Sequence, residues 1–168
     1  MGGHQPTALR DALLGVQEVF ARAARRRLEA IRALARVEVG AGDAAALRAL
    51  VEALLRREAA DADESLPLAD RVGRASAEAR AAAAARERLA ASADVQALTA
   101  AIAATWDDAL DRSDVIAARL PGRVAPEVAE AFAGYVAALR ALHEGGPEAT
   151  AGYAAALDRL NRATGFTG

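Results

Sequence analysis

The densest set of oxygen ligands in the chain is Asp107-Asp108-Ala109-Leu110-Asp111, with Asp114 three residues on. Carboxylates one helical turn apart can hold a hard cation such as Mg²⁺ and present it to a phosphate. Glu127 and Glu130 follow across a Pro121-Gly122 turn, and in an antiparallel hairpin Asp114 comes near Glu130. Asp107, Asp111, Asp114 and Glu130 are therefore the candidate metal ligands. At about 100° per residue, the apolar stripe of this segment centres on Ala109, Ser113, Ala117 and Leu120. Asp107, Asp111 and Asp114 lie more than about 90° from that stripe, so they are expected to face water. A solvated acidic face is the plain reading; a surface site for a cation or a basic partner is the sharper one.

The five residues Asp107–Asp111 resemble the aspartate-rich DDxxD signature of isoprenoid synthases. The resemblance implies an enzyme whose carboxylates line a helical cavity and hold Mg²⁺ on a substrate diphosphate. No second aspartate-rich motif accompanies it in the sequence, and an outward placement is at odds with a cavity lining.

A second constellation is Arg27, Trp106, Tyr135 and His143, which together would suit a small anionic or aromatic ligand, or a partner's side chain. Arg27 lies within about 20° of the centre of the first helix's apolar stripe, and Glu38 falls on the same side. An arginine so placed must reach a carboxylate or snorkel to the surface. Trp106 is expected to anchor packing, and His143 to sit near a helix C-terminus, where it complements the dipole. No His or Glu stands three or four residues before His143, as a di-iron bundle requires. His4, in the expected tail, receives no role. Arg25-Arg26-Arg27 point in three directions and do not by themselves form a stripe. Ser113 is expected to point inward and bond to a carbonyl one turn back. No GxSxG elbow is present, and Gly40-Ala41-Gly42 lacks the Lys-Ser/Thr of a phosphate loop.

The elements that must position these residues follow from composition. Of 168 residues 50 are alanine, the strongest helix former, and aromatics make up only 4%. The core must therefore come from Ala, Leu, Val and Ile, with helices packed at close range. All 21 basic side chains are arginine, a bias that fits a GC-rich coding sequence, bacterial or viral. The formal net charge of −2 argues against a general nucleic-acid binder. Ten arginines face seven acids over residues 1–60, and 11 face 16 over residues 61–168, a mild polarity able to orient self-association. There is no cysteine, so disulfides and thiolate chemistry are excluded. No segment reads as a signal peptide or a membrane span.

Proline and glycine then divide an all-α chain into four to six helices of one up-down bundle. Residues 1–6 are expected to be a flexible tail. A long hairpin covers 7–63, with its first helix over Thr7–Val39 and Asp43 capping the second. Helix or helices over 67–120 follow, capped by Ser65 and presenting Leu68, Val72, Ala75, Ala79, Ala83 and Ala90; Ser92-Ala93-Asp94 is either a break or part of one continuous helix. A C-terminal hairpin covers 126–164, closed by Gly165. The opening hairpin, with Gly42-Asp43 leading into a leucine-rich helix, resembles helical export chaperones of the flagellar type.

The expected function is that of a non-enzymatic, intracellular interaction protein, either cytoplasmic or, if viral, in the host cell or virion. It would be a scaffold, adaptor or assembly component that meets a protein partner or itself, with no cofactor, nucleic acid or membrane. The first helix is much longer than the second, so part of its stripe, widened by Leu14, Val19, Leu28 and Val37, needs a later helix or another molecule. A small-ligand-binding bundle and a Mg²⁺-dependent enzyme are the alternatives.

Overall fold

The computed structural model describes residues 5–165, and every regular element among them is a helix. The order is α1 (Gln5–Leu34), α2 (Ala44–Ala62), α3 (Leu68–Arg88), α4 (Ala93–Ala118), α5 (Pro126–Gly145), a 3₁₀ turn (Gly146–Ala149) and α6 (Thr150–Thr164). The protein is thus an all-α bundle of closely packed helices. None among the described residues is long and apolar enough to cross a membrane. His4 lies outside the described residues, as does most of the expected tail; Gln5 and Pro6 instead open α1, where proline's missing N–H costs nothing.

The chain gathers into two compact units. One comprises residues 23–106: the end of α1, all of α2 and α3, and the start of α4. The other, the terminal unit, is built from the first and last stretches of sequence: α1 up to Arg22, then everything from Asp107 onward.

In the 23–106 unit, Ile31 and Leu34 of α1 meet Leu47, Leu50, Ala53 and Leu54 of α2, with Ala82, Ala85 and Leu89 from α3 and Val95 and Ile102 from α4. Helix α1 stops five residues before the expected Val39. Val37 and Val39 both pack against this core while Glu38 between them is exposed. An extended segment puts residues i and i+2 on one face, whereas a helix would turn them about 200° apart. Burying both valines therefore ends the helix, and Glu38 leaves the stripe it was assigned to.

Asp43 is the N-cap of α2, but its carboxylate makes no cap bond; its backbone carbonyl accepts from Leu47 N at 3.0 Å. Ser65 does not cap α3 either. Its N–H and hydroxyl both donate to Asp63 Oδ1, which holds the Asp63 carboxyl below its ordinary pKa, and Pro67 takes the N-cap position. The buried alanines of α3 are Ala75, Ala82 and Ala85; the expected Ala83 and Ala90 are exposed. Residues 68–118 form two helices. Ser92 Oγ accepts from Val95 N at 3.4 Å to start α4, and the Gln96 amide donates to Leu89 O at 3.2 Å, satisfying the frayed end of α3.

In the terminal unit, Ala8, Leu9, Ala12 and Val16 of α1 pack with Leu120, Val124, Phe132, Val136 and Leu160. Later helices of the same chain thus cover the stripe that extends beyond the reach of α2. Gly122 (φ +80°) makes the tight turn before α5, and Gly165 (φ +73°) is the left-handed C-cap of α6. Ser113, fully buried, donates to Ala109 O at 2.8 Å, as expected. Gly15 sits mid-helix at a propensity cost of about 1 kcal/mol because a Cβ there would lie 3.2 Å from Ile116 Cδ1. Gly15→Leu should accordingly destabilise the protein by about 1–3 kcal/mol through overpacking, read as a lower urea midpoint at unchanged slope.

Candidate functional site

Arg27 is the polar centre of the 23–106 unit. It is only 3% exposed, and its Nε and Nη2 donate to the two carboxylate oxygens of Glu58 at 2.6 and 3.2 Å. Its Nη1 donates to Thr105 Oγ1 at 3.3 Å, and the guanidinium lies 3.8 Å from the Trp106 ring centroid. A planar fork that stacks on an aromatic while gripping a carboxylate is arginine's particular geometry, which lysine does not reproduce. Thr105 also donates to Ile102 O at 2.7 Å, so its one hydroxyl joins α4's backbone to the cation.

Around this centre stand Arg57, 5.8 Å from the Trp106 centroid, and Asp61 and Arg71. The Nε atoms of Arg57 and Arg71 are buried without a hydrogen-bond partner among the described residues. Burial raises the Asp61 pKa; Arg57 opposes the rise, Glu58 adds to it, and Arg27 and Arg71 oppose it. Sequence reasoning found Arg27 and Trp106 but missed Glu58 and Asp61. The signal was present: α2's buried stripe runs through Leu47, Leu50 and Leu54, and Glu58 and Asp61 continue it at i+4 and i+7 from Leu54. A carboxylate replacing a stripe leucine marks the partner of a core-facing arginine.

Tyr135 and His143 belong to the terminal unit. The Tyr135 ring centroid is 5.9 Å from those of both Phe132 and Tyr153. Burial first, then the neighbouring Tyr153, pushes the Tyr135 phenol well above its ordinary pKa, so it stays protonated at neutral pH. His143 is half-buried in the last turn of α5. Of the four residues proposed to converge, the structure brings together Arg27 and Trp106.

The aspartates of α4 face solvent. Asp111 and Asp114 are 72% and 54% exposed, and both accept from Arg140 Nη2, at 3.0 and 2.7 Å. These contacts raise the Arg140 pKa further and fasten α5 to α4. Asp108 pairs with Arg112 one turn on, at 3.1 Å, and Asp107 and Glu130 are exposed. Asp114 and Glu130 line one shallow groove, as the hairpin geometry anticipated, with Ala117, Ala118, Ala129 and Ala133 as its floor. Among the described residues no group of three or more His, Asp or Glu side chains is disposed to hold a metal ion. None of the protein-family models, characterised proteins or solved structures compared with the chain matches it.

Two outcomes follow for the buried cluster. Glu58→Ala should cost about 3–5 kcal/mol by stranding the Arg27 charge, while Arg27→Met combined with Glu58→Leu should cost much less; urea unfolding separates them. Asp61, with a folded pKa above its ordinary 3.8, is penalised by folding at higher pH and not below that value. Asp61→Asn should therefore raise the melting temperature at pH 7, and the gain should vanish as the pH falls below 3.8.

Proposed function

We propose that the chain is a non-enzymatic interaction protein, a scaffold, adaptor or assembly component that works through the outer faces of its helices. The observation that carries this reading is a pair of apolar side chains left in water beside a close helix crossing. Leu14 and Val115 are 50% and 51% exposed, and they directly precede Gly15 and Ile116, the two residues in contact there. Burying the exposed half of such a side chain at an interface returns about 1 kcal/mol.

The polar groups support the same reading. Arg27 is engaged by Glu58, Thr105 and Trp106, and Asp111 and Asp114 by Arg140, so these groups act as ties between helices. The net charge of −2 favours a protein over a nucleic acid as partner. We place the site of action inside the cell, in keeping with arginine–carboxylate ties in place of disulfides.

The test is Leu14→Glu with Val115→Glu. The variant should keep the wild-type helical circular dichroism and lose whatever the wild type associates with, itself or a co-purifying protein. Wild-type protein that is monomeric at every concentration by light scattering, with nothing co-purifying at natural abundance, overturns the reading.

A second reading, a small-ligand-binding bundle, is favoured by the unpartnered buried Nε atoms of Arg57 and Arg71. It calls for a carboxylate or phosphate ligand, and thermal shifts with acetate and inorganic phosphate that Arg57→Met abolishes would support it. No shift with either anion removes it.

A further inference from the structure

We propose that one partner of this chain is a second copy of itself, the arginine face of α1 in one copy meeting the acidic face of the α4–α5 hairpin in the other. The proposal rests on the interaction-protein reading and adds to it a charged contact, with a second copy of the chain as occupant.

Three successive arginines do not make a stripe, but positions 22 to 32 do. At about 100° per residue, Arg22, Arg25, Arg26 and Arg32 fall within an arc of about 120°, turned away from buried Arg27, with Glu29 the one acid inside it; Arg36 follows just past the helix end. Arg25, Arg32 and Arg36 are exposed, and among the described residues none forms an ion pair with them. Arg22 is held by Glu18 one turn back.

The acidic face has the complementary form. Asp107, Asp111 and Asp114 recur at i, i+4 and i+7, an arc of about 60°, with Glu130 across the groove and Glu127 nearby in sequence on α5. Arg140 is the cation that reaches them, touching Asp111 and Asp114 and leaving Asp107, Glu127 and Glu130 without an ion pair among the described residues. Arg25 to Arg32 and Asp107 to Asp114 both span seven residues, about 10.5 Å along a helix. The groove between the acids has a floor of alanine methyls. An arginine side chain matches that surface twice over: its aliphatic stem lies on methyls while its guanidinium meets the carboxylates at the rim.

Charge also decides which faces can meet. The 23–106 unit holds thirteen arginines against twelve acids, and the terminal unit eight against eleven. A contact of either face with itself would set like charge against like, so the arginine face of one copy must meet the acidic face of the other. Individual exposed pairs are weak and screened by salt, so the association must use several at once and must fade as ionic strength rises.

The experiment uses the full chain and two variants altered only at exposed positions. Variant one is Arg25→Glu with Arg32→Glu; variant two is Asp107→Asn with Glu127→Gln and Glu130→Gln. Circular dichroism and melting temperature establish that both remain folded. In sedimentation velocity, the wild type should self-associate at low salt and weaken about tenfold or more when the Debye length falls from about 10 Å to about 3 Å. Each variant alone should be monomeric. Their mixture should form a one-to-one pair, because variant one retains the acidic face and variant two the basic one. A monomeric wild type at low salt, a variant that still self-associates, or a mixture that forms no pair overturns the proposal. If the wild type is monomeric yet co-purifies with another protein, this inference falls and the interaction-protein reading stands; if it does neither, both fall.

Discussion

An alanine side chain ends one atom from the backbone, and that short reach governs this structure. Two helices whose facing residues are alanines gain contact only when their axes come close, and each buried methyl removes little apolar surface from water. Ala75, Ala82 and Ala85 of α3 make such a face, and Ala8 and Ala12 of α1 another. The larger side chains, Phe132, Ile31, Leu34, Leu50 and Leu89 among them, are placed where the small faces leave depth to fill. Gly15 carries the same logic further, giving up even the methyl so that α1 can lie against Ile116.

Close packing restricts how polar groups may enter the interior. Thr99, Thr105 and Ser113 on the buried side of α4 each satisfy their hydroxyl on a carbonyl of their own helix, at 2.8, 2.7 and 2.8 Å. They need no partner from another helix and so leave the packing distance free. Arg27 is the exception, a charge brought indoors and met by a carboxylate, a hydroxyl and an indole face. Removing a charge from water is repaid only when its donors are matched, which explains why two other helices, α2 and α4, supply partners to one guanidinium.

How far the sequence foretold this depends on which residues carried information. Proline, glycine and leucine did: the helices, most of their ends, the inward turn of Ser113 and the outward turn of the α4 aspartates could all be read from spacing. Alanine did not, since a face cannot be identified where every position is the same; the expected Ala83 and Ala90 proved exposed and Ala82 and Ala85 buried. The end of α1 was missed because helical periodicity and extended burial of Val37 and Val39 agree up to Leu34 and diverge only beyond it. Around Arg27, wheel geometry predicts that a counter-charge is needed without showing which distant helix brings it. Arg140 escaped notice for the same reason, since its aspartates lie 26 and 29 residues away in sequence.

The ties between neighbouring helices share one chemical trait. Arg27 with Glu58, Arg56 with Glu78, and Arg140 with Asp111 and Asp114 all place a guanidinium on the positive side. That group is a rigid plane of donors, and the ties use it differently: Arg27 grips both oxygens of one carboxylate, whereas Arg140 shares a single nitrogen between two. Each fastening therefore constrains the orientation of the joined rods as well as their separation.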